Sequence, residues 1–161
     1  MKKLFVLSLL LAASGVVHAL PKADLVLVKK SEAKLFLISG GQAIREYRIA
    51  MGPRPRGPKL VAGDERTPEG EYTLDRKNVK SAFYKSIRIS YPNDFDRDRA
   101  ERLGKNPGGS IMIHGQPNGH PWPEDVAQTF NWTNGCIAVA DWQMDEIWEA
   151  VDEGTPIKIQ P

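Results

Sequence analysis

Leu25–Ala50, LVLVKKSEAKLFLISGGQAIREYRIA, decides the fold class. Leu25 to Lys29 and Lys34 to Ser39 are short apolar runs. Gly40-Gly41 is a tight-turn pair, and Ala43 to Ala50 resumes the pattern. Short runs separated by turn signals predict a β-meander. Downstream, Gly52 to Lys59 is dense in Pro, Gly and Arg and is expected as loop. Glu71 to Asp75 and Ile87 to Ser90 read as further short strands. Ser110 to His114 and Cys136 to Ala140 are apolar enough to be buried ones. Asp96 to Leu103 is charged and is expected as a short surface helix with a solvated face. Asp141 is the expected N-cap of a closing helix, in which Met144, Ile147, Trp148 and Val151 recur at helical spacing as core packing. Gly154 then ends the helix, and Thr155 to Gln160 forms a last strand. The expectation is one mostly-β domain with one or two short helices. Gly115 to Trp132 is a long excursion, and loops of that size inside a compact domain tend to be functional, for instance as lids.

Met1-Lys2-Lys3, the apolar run Leu4 to Ala13 and Val17-His18-Ala19 form a basic, apolar and small-x-small series. That series predicts an export signal over residues 1–19, cleaved after Ala19, and places the protein in the periplasm. No cysteine stands at the end of the apolar run, so no lipid anchor is expected, and no later run is long enough for a transmembrane helix. Residues 20–161 are then the mature domain. Lys2 and Lys3 leave with the signal, so 20 of the 22 basic residues remain against 20 acidic ones. That balance argues against nucleic acid and against a polybasic membrane surface as partners. Of the histidines, His114 and His120 remain.

Cys136 is the only cysteine. In an exported chain it has no partner for an internal disulfide, so a chemical role is the stronger reading over that of a small buried hydrophobe. Gly135 precedes it, and Ile111-Met112-Ile113-His114-Gly115 offers a histidine at the end of a strand. If those strands are neighbours, Cys136 and His114 project at the same end of the sheet as nucleophile and base. The imidazole needs an acceptor on its other nitrogen, and the backbone carbonyl of Gly115 is the natural one. The N–H groups of Asn134, Gly135 and Cys136 are the candidate oxyanion donors. A thiol activated this way is expected to react well below its normal pKa. Trp122, Trp132 and Thr133 are candidates to line a substrate cleft. A zinc site from His114, His120 and Cys136 is the rival, but the spacing matches no compact zinc motif and no fourth ligand stands out, so neither metal nor cofactor is expected. His120, in Asn118-Gly119-His120-Pro121, reads as an exposed turn residue.

Arg66-Thr67-Pro68-Glu69-Gly70-Glu71-Tyr72, Ser110-Ile111-Met112-Ile113-His114-Gly115 and Thr133-Asn134-Gly135-Cys136-Ile137 occur in that order. Together they resemble the YkuD-type L,D-transpeptidases of bacterial cell walls over most of the mature chain. The resemblance implies a β-sandwich or barrel-like fold and thiol acyl transfer on peptidoglycan stem peptides. By it Cys136 is the nucleophile, His114 the base and Gly115 the backbone orienter. The acyl group would pass to an amine of a neighbouring stem or of a wall-anchored protein. Two positions depart from the family pattern: Ala138 stands where an Arg is typical, and Asn134 where His or Lys is common. The missing Arg leaves open a carboxypeptidase or amidase that hands the acyl group to water. A catalytically silent wall-binding domain is a third reading, against which the intact Cys136 and His114 argue.

Overall fold

The computed structural model describes residues 20–123 and 126–161, and the expected export signal over residues 1–19 lies outside them. β1 (Leu25–Lys29), β2 (Lys34–Ser39) and β3 (Gln42–Arg48) form the expected meander. β1 and β2 pair from Leu25↔Ile38 to Lys29↔Lys34, and β2 and β3 from Lys34↔Arg48 to Ser39↔Gln42. The period of two in side-chain direction fixes which face is covered. Val26, Val28, Leu35 and Leu37 are fully buried, and each such side chain contributes about 1.5–3 kcal/mol by leaving water.

β4 (Gly70–Asn78), β5 (Ser86–Ile89), β6 (Met112–His114), β7 (Ile137–Ala138) and β8 (Thr155–Gln160) complete an eight-stranded sheet in the order β3-β2-β1-β8-β4-β5-β6-β7. β8 is parallel to β1 and antiparallel to β4. The sheet curls until its two ends meet. Ala50, just past β3, exchanges N–H···O bonds of 2.9 and 2.8 Å with Ala138 of β7. This closure is why the third strand stops at Arg48 rather than at Ala50. The chain leaves β2 there and crosses to β7. It also satisfies backbone groups that an open edge would present to other chains.

α1 (Asp94–Arg102) is capped by Asn93, whose side chain accepts from the Asp96 N–H while Asp96 accepts from the Asn93 N–H. Its face is not fully solvated, as the charge pattern suggested. Asp96 is buried and also accepts from Tyr72 Oη at 2.9 Å and from Arg99 at 3.0 Å. A polar hub rather than an apolar stripe ties this helix to the sheet. α2 (Asp141–Ala150) does present the expected stripe: Met144 and Ile147 are fully buried in the core, with Val151 after them. Asp141 is not its N-cap. Ala140 holds that position, and the Asp141 carboxylate instead accepts the Gln116 N–H at 2.7 Å. The expected strand over Cys136 to Ala140 shrinks to β7, because the turn before Cys136 and the start of α2 consume its ends.

Candidate active site

β6 and β7 are parallel neighbours, with Ile113 beside Ile137 and His114 beside Ala138. That register brings His114 and Cys136 onto one cavity of about 550 Å³. Phe83, Ser110, Met112, Trp122, Trp132 and Asn134 also line it, and Thr133 contributes to its wall. His120 is exposed in its turn and does not line this cavity. Among the described residues no group of His, Cys, Asp and Glu converges in a way that would hold a metal ion.

His114 is buried, and its Nδ1 lies 2.7 Å from the Gly115 carbonyl oxygen. A carbonyl only accepts, so the proton sits on Nδ1 and Nε2 carries the lone pair, which no donor among the described residues engages. Gly115 is needed for this. A Cβ there would fall 2.5 Å from Asp141 Oδ1 and 2.9 Å from Tyr84 Cβ. Aromatic rings cover the imidazole: Phe83 at 4.6 Å between centroids and Trp132 at 5.7 Å, with Trp122 at 4.7 Å from Trp132. Trp122 is held from behind by buried Gln116, which accepts its N–H at 2.8 Å and donates to its carbonyl at 3.0 Å. Trp132 is fixed by Nε1–H to the Ala127 carbonyl at 2.9 Å. The described part of the 115–132 excursion is thus anchored at several points.

The turn before the sulfur is built by Thr133. Its hydroxyl accepts the Gly135 N–H at 3.2 Å and donates to the Cys136 carbonyl at 2.7 Å. Both hydrogen-bonding roles of this candidate substrate contact are therefore engaged inside the turn. The same geometry takes the Gly135 N–H out of the candidate oxyanion set. Among the described residues no acceptor engages the N–H of Asn134 or Cys136. Gly135 has φ +113°, and a Cβ on it would lie 2.4 Å from the Arg66 carbonyl oxygen. Gly52 is pressed equally hard, its missing Cβ only 2.0 Å from the Glu65 carbonyl oxygen. The Thr-Pro segment is therefore a backbone wall behind the cysteine turn. It is clasped from below by buried Lys30, which donates to Gly57 O at 2.7 Å, Thr67 O at 2.9 Å and Glu69 Oε1 at 2.8 Å.

Electrostatics at the pair differ from the expectation of a thiol that reacts well below its normal pKa. Burial pushes the Cys136 thiol up, opposed by the nearby Met112 N–H and the charge of Lys59. Burial also pushes the His114 imidazole down, opposed by its bond to Gly115. Each charge loses solvation in the cavity, so the resting pair is neutral thiol and neutral imidazole. The Sγ lies 3.5 Å from the Ser110 carbonyl, which takes the S–H. Ser110 itself has φ +55°, a left-handed conformation at a non-glycine residue beside the sulfur.

Phe83 and Lys59 carry no local signal in the sequence. Phe83 is tied to the site by the Gly115 N–H, which bonds to the Phe83 and Lys85 carbonyls at 3.1 and 3.2 Å. Ser110 is the expected start of the strand to His114, but β6 starts at Met112 and Ser110 takes the left-handed conformation instead.

These observations define a closed, mostly-β domain with a histidine at the end of one strand and a cysteine just before its parallel neighbour, both facing one aromatic cavity. The L,D-transpeptidase catalytic domain family, YkuD, matches residues 23–159. The chain therefore belongs to the YkuD L,D-transpeptidase family. It is 32% identical over 112 residues, 68% of its own length, to YafK of Escherichia coli (strain K12), a protein assigned by name to the L,D-transpeptidases. It spans only 38% of that relative. Among solved structures it is similar to the helical cell shape determining protein Pgp2 of Campylobacter jejuni, at 26% identity and TM-score 0.63 over 85% of this chain and 48% of that one. It is also similar to Bd1075 of Bdellovibrio bacteriovorus, at 26% identity and TM-score 0.58 over 88% of this chain and 51% of that one. The L,D-transpeptidase from Mycobacterium smegmatis shares the fold, at 17% identity and TM-score 0.56 over 85% of this chain and 58% of that one. Among the described residues no helix is long and apolar enough to cross a membrane.

Proposed function

We propose that the chain is a cysteine acyl-transfer enzyme of the periplasm acting on peptidoglycan stem peptides. The observation that carries this reading is the lock of His114 Nδ1 on the Gly115 carbonyl, which leaves Nε2 as a base in the cavity that Cys136 opens onto. As the substrate carbonyl arrives, the S–H turns from Ser110 O to Nε2. Sulfur bonds to the carbonyl carbon while Nε2 takes the proton. The oxyanion is met by the N–H groups of Asn134 and Cys136. Collapse expels the amine of the terminal residue, which takes the proton back from the imidazolium. A thioester on Cys136 remains. An incoming amine, from a neighbouring stem or a wall-anchored protein, completes transpeptidation. Water in its place completes hydrolysis.

One observation favours a substantial hydrolytic outcome. Ala138 is buried, has its backbone bonded to Ala50, and does not line the cysteine cavity. No guanidinium clamps the donor from that position, and a loosely held acyl donor disfavours a two-substrate transfer relative to attack by water. The test is incubation with purified tetrapeptide muropeptides and mass spectrometry of the products. Cross-linked dimers or free tripeptides are expected from the wild type, and neither from Cys136→Ser. Unchanged muropeptides with wild-type protein would leave the wall-binding reading standing instead.

A further inference from the structure

The cysteine cavity is neutral. Among the described residues its lining contains no Lys, Arg, Asp or Glu. It suits the acyl portion of a substrate and offers nothing to a carboxylate beside the scissile bond. A second cavity of about 450 Å³ shares Gly109 and Asn134 with it, so the two meet next to Cys136. Lys59 and Glu65 are the charged residues lining that second space. Glu65 is matched by Arg54 at 3.5 Å. Lys59 is only 3% exposed. Its ammonium donates to Val61 O at 3.1 Å and to Asp64 Oδ1 at 2.8 Å.

An ammonium has three donors, and among the described residues the third has no partner. The group is also held in place. Arg99 donates to the Lys59 carbonyl at 2.9 Å, and the side chain passes Gly108, where a Cβ would stand 3.4 Å from Lys59 Cε. Asp64 is fixed in turn by the N–H groups of Leu60 at 2.7 Å, Val61 at 3.1 Å and Arg66 at 3.2 Å. Those three bonds hold the Asp64 carboxylate beside the ammonium, and the Lys59 charge is one of the influences that reach the Cys136 sulfur.

We propose that Lys59 is a specificity-determining residue that receives, in the Gly108–Gly109 cavity, the free carboxylate of the residue on the leaving side of the scissile bond. The proposal rests on the acyl-transfer reading for its substrate, and it adds a cation that the position of Ala138 does not supply. It makes the enzyme selective for stems that end in a free acid directly after the bond to be cut. A buried ammonium already ordered by two acceptors gains a charge-assisted bond to a carboxylate without further loss of side-chain freedom.

The test separates binding from turnover. Full-length protein bearing Cys136→Ala is titrated by calorimetry with a tetrapeptide stem ending in a free D-residue carboxylate, and with the same peptide amidated at that terminus. The free acid is expected to bind at least tenfold more tightly. Lys59→Met combined with Asp64→Asn removes both charges together, so no unpaired carboxylate is left to disturb folding. In that background the preference should fall to below twofold, with the affinity of the amide unchanged. Equal affinities in the Cys136→Ala protein, no binding of either peptide, or a preference that survives the double substitution would each overturn the role of Lys59. Turnover of the free acid by wild type is read separately and bears only on the acyl-transfer reading.

Discussion

Gly135→Ala isolates what the backbone wall behind Cys136 does. The added Cβ lies 2.4 Å from the Arg66 carbonyl oxygen, and the residue is held at φ +113°. An L side chain forced into such a conformation costs about 1–3 kcal/mol. Overpacking against backbone that cannot rotate away costs about 1–3 kcal/mol more. Together these give about 4 kcal/mol, a large share of the roughly 5–15 kcal/mol that stabilises a domain. At about 4 °C per kcal/mol for a chain of this size, the melting temperature should fall by about 15 °C. Gly104→Ala is the control. It also has positive φ, +62°, but nothing stands within 4 Å of the new Cβ, so it should cost only about 1 kcal/mol. Equilibrium denaturation in urea measures both, and iodoacetamide labelling of Cys136 reports whether the turn has shifted. If the two substitutions destabilise equally, the close approach of Arg66 to Gly135 is not a constraint, and this account of the glycine fails.

The pH dependence follows from the same burial. His114 is held below its ordinary 6.5 and Cys136 above its ordinary 9.0. Labelling of Cys136 should therefore keep rising past pH 9, and turnover should lose its base only below pH 6.5. A labelling plateau near neutrality would contradict the neutral resting pair. For stability, the unfolded chain binds the extra proton at His114, so that contribution is present above about 6.5 and lost as pH falls through the folded value. Cys136 acts oppositely, its contribution being lost as pH rises beyond its ordinary value, so urea midpoints should sag on both sides. Thr133→Val removes an acceptor and a donor from the cysteine turn. It should cost about 1–3 kcal/mol in urea unfolding and lower turnover more than peptide affinity. Ala138→Arg places a guanidinium at a buried position outside the cavity. It should destabilise by more than about 2 kcal/mol without tightening substrate binding, and tighter binding in calorimetry would show that Ala138 faces the substrate after all.

The strands, the closing helix and the Cys136, His114 and Gly115 constellation were legible from the chain alone, because each rests on local chemistry. Alternation over Leu25–Ser39 buries Val26, Val28, Leu35 and Leu37 whatever lies elsewhere. A histidine followed by glycine has a carbonyl within reach of its own ring. What the tertiary structure decided depends on groups that meet only through long-range pairing. The closure of the sheet at Ala50 and Ala138 fixed where β3 ends. Competition for a donor moved the Asp141 carboxylate from its own helix to the Gln116 N–H, and competition for an acceptor turned the Gly135 N–H toward Thr133. Phe83 and Lys59 came to the cysteine from loops with no motif, because ring packing and an ammonium's field act through space rather than along the sequence. The ionisation of the pair was decided the same way: residue types name an acid and a base, but the surrounding burial sets which of them carries charge at rest.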